Sequence, residues 1–173
     1  MVDLSGTCLG DIVAVRWRQI GEARARTPLE SLQHAAQGRS ERRDFAAALG
    51  VNEEDITSCP SLPGTQALVE TFREIVGDRP VAEAVAALYA YEAQVPEIAT
   101  TKMDGLRNFY GICSPRALAY FTLHEEVDKA HRAAWRSWLE EHAYGDDEEI
   151  LATTNVALNA LWGALDAVHC AHV

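Results

Sequence analysis

Residues 114–142 read SPRALAYFTLHEEVDKAHRAAWRSWLEEH. Ser114-Pro115 is a helix start: a residue whose side-chain oxygen can cap, then a proline in the first turn, where its missing N–H costs nothing. With successive side chains about 100° apart and His124 at zero, Asp128 falls at about +40° and His131 at about −20°. Ala117, Tyr120, Phe121, Trp135 and Trp138 share that sector. Glu125, Glu126, Lys129, Arg132, Arg136 and Glu140 take the other side. Three ionisable groups thus occupy the apolar face of a helix whose ordinary charges are on the wet one. A carboxylate there is costly unless it is paired or bound to a metal.

The segment before it repeats the anomaly. A long helix is expected from about Pro80 to Thr100, with Val81, Val85, Leu88, Tyr89, Val95 and Ala99 on the face of Glu92, and with Glu83, Ala90, Ala93, Gln94 and Glu97 towards the opposite side. A shorter helix, Lys102 to Tyr110, is expected to stop at Gly111. One Glu from one helix and His-x3-Asp-x2-His from the next supply two carboxylates and two imidazoles. That set suits iron, or manganese, better than structural zinc, which favours thiolates. The alternative is a purely structural network in which Asp128 pairs with both imidazoles.

Elsewhere the chain also reads as helix. Thr65 to Gly77 carries an apolar stripe of Leu68, Phe72, Ile75 and Val76, and a last helix runs from about Glu148 to Cys170, with the acidic run from Asp146 to Glu149 at its start. Phe45, Ala46 and Leu49 share one face of a short helix that Gly50 ends, and Asn52 to Gly64, with Pro60 and Pro63, reads as a loop. Nothing alternates with period two for long, and no hairpin turn joins two such runs. The fold class is all-α, a helical bundle. Residues 45–173 form its main body, and residues 1–44 are a divergent helical front in which Thr27-Pro28 opens a short helix carrying Glu30 and His34.

Hydrophobic residues make up 48% of the 173, enough for a real core. The net charge is −11, which argues against nucleic acid or an anionic membrane as partner. That charge is unevenly spread: residues 1–45 hold seven Arg against six acidic residues, and residues 46–173 eight basic against twenty acidic. Cys8, Cys59, Cys113 and Cys170 have no zinc-like spacing and are expected reduced and mostly buried. Trp17, Trp135, Trp138 and Trp162 are expected in the core and at helix contacts. No signal peptide opens the sequence and no run approaches the ~20 apolar residues that span a bilayer, so the cytoplasm is the expected location.

Tyr91-Glu92-Ala93-Gln94-Val95-Pro96-Glu97, Lys102, Gly105-Leu106, Tyr110-Gly111 and Tyr120-Phe121-Thr122-Leu123-His124 together resemble the heme-oxygenase-like (TenA/PqqC-like) diiron oxygenases. The branch they resemble contains the chlamydial protein associating with death domains; pyrroloquinoline-quinone synthase and thiaminase-type proteins are more distant relatives. The resemblance covers roughly Phe45 to Val168 and implies the heme-oxygenase-like bundle. It implies that Glu92, His124, Asp128 and His131 are four of six ligands to two irons, and that Lys102 sits beside the metals as a donor or substrate contact. It also implies O2-dependent oxidation of a small organic substrate; in this branch the reaction forms p-aminobenzoate and consumes a tyrosine of the enzyme.

The family's remaining Glu and His, seven apart, should fall by spacing near Ser31 and Gly38, where this chain offers Glu30 and His34, four apart. One helix face can present such a pair. Three outcomes stay open: one iron on four ligands, two irons completed by Glu30 and His34, or no functional site. The front end has no counterpart of the family's first helix and reads as truncated or wrongly started. The expected partners are a small-molecule substrate and O2, with a homodimer compatible with the fold class. The competing readings are a cofactor-free pocket like that of pyrroloquinoline-quinone synthase and a degenerate, non-enzymatic interaction protein.

Overall fold

A computed structural model describes residues 41–143, 145 and 147–171. All regular structure among them is helical. Residues 41–48 are helical, followed by α1 (Glu53–Ser58), α2 (Pro63–Asp78), α3 (Val81–Glu92), α4 (Val95–Tyr110), α5 (Pro115–His142) and α6 (Asp147–Ala171). No helix among the described residues is long and apolar enough to cross a membrane.

The chain divides into two compact units. Among the described residues, one unit holds those up to Cys59 with Val95–Val127; the other holds Pro60–Gln94 with those from Asp128 onward. In the first, Ala99 and Met103 of α4 meet Leu118 and Phe121 of α5, with Phe45, Leu106, Ile112 and Tyr120 packed around them. Phe45 meets Phe121 edge to face at 5.0 Å, and Arg116 donates to Asp44 at 2.8 Å. The turn after the helix at 41–48 is a Schellman motif. Gly50 adopts φ 78°, its N–H bonds the Ala47 carbonyl, and the Val51 N–H bonds that of Ala46. Gly50 thus ends that helix as its position in the sequence suggests, while Leu49 is exposed.

In the second unit, α6 lies against α2 and α3. Helix α3 is apolar on nearly all sides, and Ala84, Val85, Ala86, Ala87 and Leu88 are all buried. Phe72, Ile75 and Val76 of α2 and Thr153, Ala157 and Ala164 of α6 complete this core. The approach of α2 to α6 is close: a Cβ on Gly64 would stand 2.7 Å from both the Ala167 Cβ and the Gly163 carbonyl oxygen.

The structure corrects several expectations. The long helix read from Pro80 to Thr100 is two helices. Pro96 has no N–H to give, and its ring clashes with the carbonyl four residues earlier, that of Glu92. Accordingly α3 ends at Glu92, Ala93 caps it, and α4 restarts at Val95 and runs unbroken through Thr101 to Tyr110. The stretch read as a loop after Asn52 contains α1, because the Asn52 side chain accepts the Asp55 N–H at 2.8 Å and three acidic residues fill the first turn. Gly77 lies inside α2 and does not end it. Cys59, Cys113 and Cys170 are exposed, as is Trp162, which is 65% accessible on the outer face of α6. Glu83, placed by the helical wheel away from the core, is buried and accepts a hydrogen bond from the Thr153 hydroxyl. A wheel assigns one wet face, and α3 has almost none.

Gly64→Ala should destabilise the protein by about 1–3 kcal/mol, because one of the atoms it meets is backbone and cannot turn away. Gly77→Ala, at an exposed helical position with open space around it, should stabilise by about 0.5–1 kcal/mol. Urea denaturation of the two variants checks both signs.

Candidate metal centre

Because Pro96 stops α3 at Glu92, that carboxylate sits at a helix end, with its side chain turned to the second half of α5. On α5, Asp128 and His131 are one turn apart and share a face. The result is a group in which one ligand atom each from Glu92, Asp128 and His131 lies within 4.8 Å of the other two. Glu92 is 6% and Asp128 4% exposed, while the His131 ring keeps a partly open edge. His131 Nδ1 is 3.3 Å from Glu92 Oε2 and 3.4 Å from Asp128 Oδ1.

Those separations are longer than the ~2.7–2.9 Å of a tight charged hydrogen bond. They match the gap between neighbouring ligands on one first-row metal: bonds of about 2.0–2.2 Å, at octahedral to tetrahedral angles, hold ligand atoms about 2.8–3.6 Å apart. Two carboxylates and a neutral imidazole carry a charge of −2, which balances a divalent ion. The residues present therefore fit a divalent first-row ion such as iron or manganese in donor chemistry, and the two distances from His131 fit it in spacing.

In the metal-free protein the proton takes the cation's place. Burial alone pushes the His131 pKa down. Hydrogen bonding and charge from Asp128 and Glu92 outweigh it and raise the pKa to about 9. Around them, the Trp135 indole N–H donates to Glu92 Oε2 at 2.7 Å, and Arg132 donates to the Ala93 carbonyl at 2.8 Å.

The other sequence candidates fall elsewhere. His124 is on α5, one turn before Asp128; its ring lies 4.5 Å from that of Tyr120, and it is not in the three-residue group. Lys102 is exposed on α4, next to the buried Met103. Glu30 and His34 lie outside the described residues. Sequence reasoning also missed roles. Trp135 was read as packing, although a buried indole needs an acceptor for its N–H, and the nearest turn of its own face carries His131. Arg132 was placed with the wet-face charges, yet it reaches back to the end of α3.

A family model described as iron-containing redox enzyme matches residues 40–162, a stretch that takes in Glu92, Lys102, His124, Asp128 and His131. The chain belongs to that family. The resemblance read from residues 91–97 and 120–124 is to the same group, and the fold class is its all-α, heme-oxygenase-like bundle. The chain is similar to a 4-aminobenzoate synthase of Nitrosomonas europaea, 41% identical over 127 residues, covering 72% of this chain and 52% of the relative. It is similar to a 4-aminobenzoate synthase of Chlamydia trachomatis, 36% identical over 126 residues, covering 72% and 54%. A pyrroloquinoline-quinone synthase of Xanthomonas campestris is 30% identical over 130 residues, covering 73% and 51%. The chain spans about half the length of the curated relatives it matches.

The raised His131 pKa fixes a sign. A group whose pKa rises from 6.5 to about 9 on folding contributes stability that is fully present below 6.5 and is lost as the pH climbs through about 9. Metal-free protein should therefore lose denaturant resistance over that window. His131→Gln should lose much less, which urea melts across the window measure directly.

Proposed function

We propose that this chain is a non-heme iron oxidoreductase that uses O2 on a small aromatic or amino-acid-like substrate. The observation that carries the reading is the convergence of Glu92, Asp128 and His131, in a chain of an iron-containing redox family. The names of the aminobenzoate and quinone synthases support a ring-bearing substrate or product. His124 is a further proposed ligand on its spacing, and Lys102 a proposed donor or substrate contact on the resemblance alone.

Glu92, Asp128 and His131 would hold the ion. Bound iron supplies one-electron chemistry with O2, which organic side chains lack. The protein's own part is to bring two carboxylates and an imidazole together in a largely buried setting, where a cation would offset the cost of burying the carboxylates. His131 loses its proton when the ion enters, so binding tightens as the pH rises. The imidazole would bind through Nδ1, the nitrogen that faces Glu92 Oε2 and Asp128 Oδ1, with its remaining proton on Nε2.

The test is iron content per chain after anaerobic loading with Fe(II), followed by O2 uptake. Wild-type protein should retain iron and consume O2, while Glu92→Gln and His131→Ala should each weaken iron binding by about tenfold or more. Two irons per chain would bring Glu30 and His34 forward as the second set of ligands. Wild-type protein that retains no iron contradicts the proposal, and O2-dependent product formed in the presence of a chelator would point to a cofactor-free pocket instead.

A further inference from the structure

The largest fully buried side chain among the described residues touches a proposed ligand. Trp135 is 1% accessible, and its indole N–H, a donor with no acceptor capacity, ends on Glu92 Oε2 at 2.7 Å. Packing alone does not call for a tryptophan here. A phenylalanine would fill most of the space without a polar atom needing a partner. What the indole adds is a neutral donor. A lysine or arginine in its place would also satisfy the buried carboxylate, but it would cancel the negative charge that an incoming cation needs. A hydrogen bond from the neutral indole removes part of the desolvation cost of Glu92 without placing a positive charge beside it.

The same helix grips the end of α3 a second time. Arg132, three residues before Trp135, donates to the carbonyl of Ala93, the residue that caps α3 just after Glu92. A cation is favourable at that helix end, where carbonyls are left without partners. Helix α3 is therefore held by its last side chain and by its capping carbonyl, both from one turn of α5. His131 precedes Trp135 by one turn, and both point at the same Glu92 oxygen. The proposed ligands and their support thus alternate along one short stretch of helix.

From this geometry we propose that Trp135 is a positioning residue for the metal carboxylate, fixing the plane of Glu92 while Arg132 fixes the backbone beneath it. The proposal rests on the reading of Glu92 as a ligand. It assigns Trp135 a role that core packing does not require, and one that metal binding can report.

The test uses the full chain labelled with 15N-tryptophan, in which the four tryptophans give four indole N–H signals, and Zn(II) as a diamagnetic probe. The Trp135 signal should be the most slowly exchanging and should move in Glu92→Gln. It should also move on zinc addition, in step with zinc occupancy, as the metal draws charge from the carboxylate. Trp135→Phe should keep wild-type helicity and bind zinc about ten- to a hundredfold more weakly. Trp162→Phe, at an exposed position, should bind it normally. If Trp135→Phe fails to fold, the wild-type signals decide alone. Zinc bound stoichiometrically by the wild type with an unmoved Trp135 signal, or a folded Trp135→Phe of unchanged affinity, overturns the positioning role and leaves the ligand assignment standing. A wild-type protein that binds no zinc, manganese or iron overturns the ligand assignment and this role with it.

Discussion

The burial of two carboxylates, Glu92 and Asp128, against a single imidazole is the constraint to which the neighbouring structure answers. Left unpaired in an apolar interior, either carboxylate would be costly. The metal-free protein keeps them by holding a proton on His131. It also supplies a neutral donor from Trp135 and an arginine at the adjacent helix end. Each of these groups lies on α5 within eight residues, so one helix carries both the site and most of what stabilises it. The break before Pro96 matters for the same reason. Ending α3 at Glu92 leaves that residue at a helix end, with its side chain hydrogen-bonded to Trp135.

Much of this was legible in the sequence, because it depends on spacing along one helix. Asp128 and His131 stand out as ionisable groups on an apolar face, and Ser114-Pro115 sets where that face begins, whereas His124, on the same stripe, lies outside the three-residue group. Asn52 and Pro96 were equally present but were read against the wrong neighbours. A cap three residues before Asp55 makes a short helix even between prolines, and a proline just inside a helix start is a boundary. The periodic stripe running through Val95 and Ala99 disguised that boundary. The hydrogen bonds of Trp135 and Arg132 to the end of α3, and of Thr153 to Glu83, join residues far apart in sequence. No local pattern encodes which buried donor meets which buried acceptor.

Membership of the iron-containing redox family and the convergence of three side chains that could hold a metal ion both support the proposed centre. The donor set adds what the family description does not. Two carboxylates and one imidazole favour a hard or borderline divalent ion, and the absence of any cysteine from the group argues against a structural zinc site. The chain spans about half the length of the 4-aminobenzoate and pyrroloquinoline-quinone synthases it matches.

The most direct test of the central claim is anomalous diffraction at the iron edge, from crystals of the protein loaded anaerobically with Fe(II). The account predicts an anomalous peak at bonding distance, about 2.0–2.2 Å, from a carboxylate oxygen of Glu92, one of Asp128 and a ring nitrogen of His131. An iron-loaded crystal with no peak there, and with His131 still paired directly to both carboxylates, would contradict it and make the group a structural ion network.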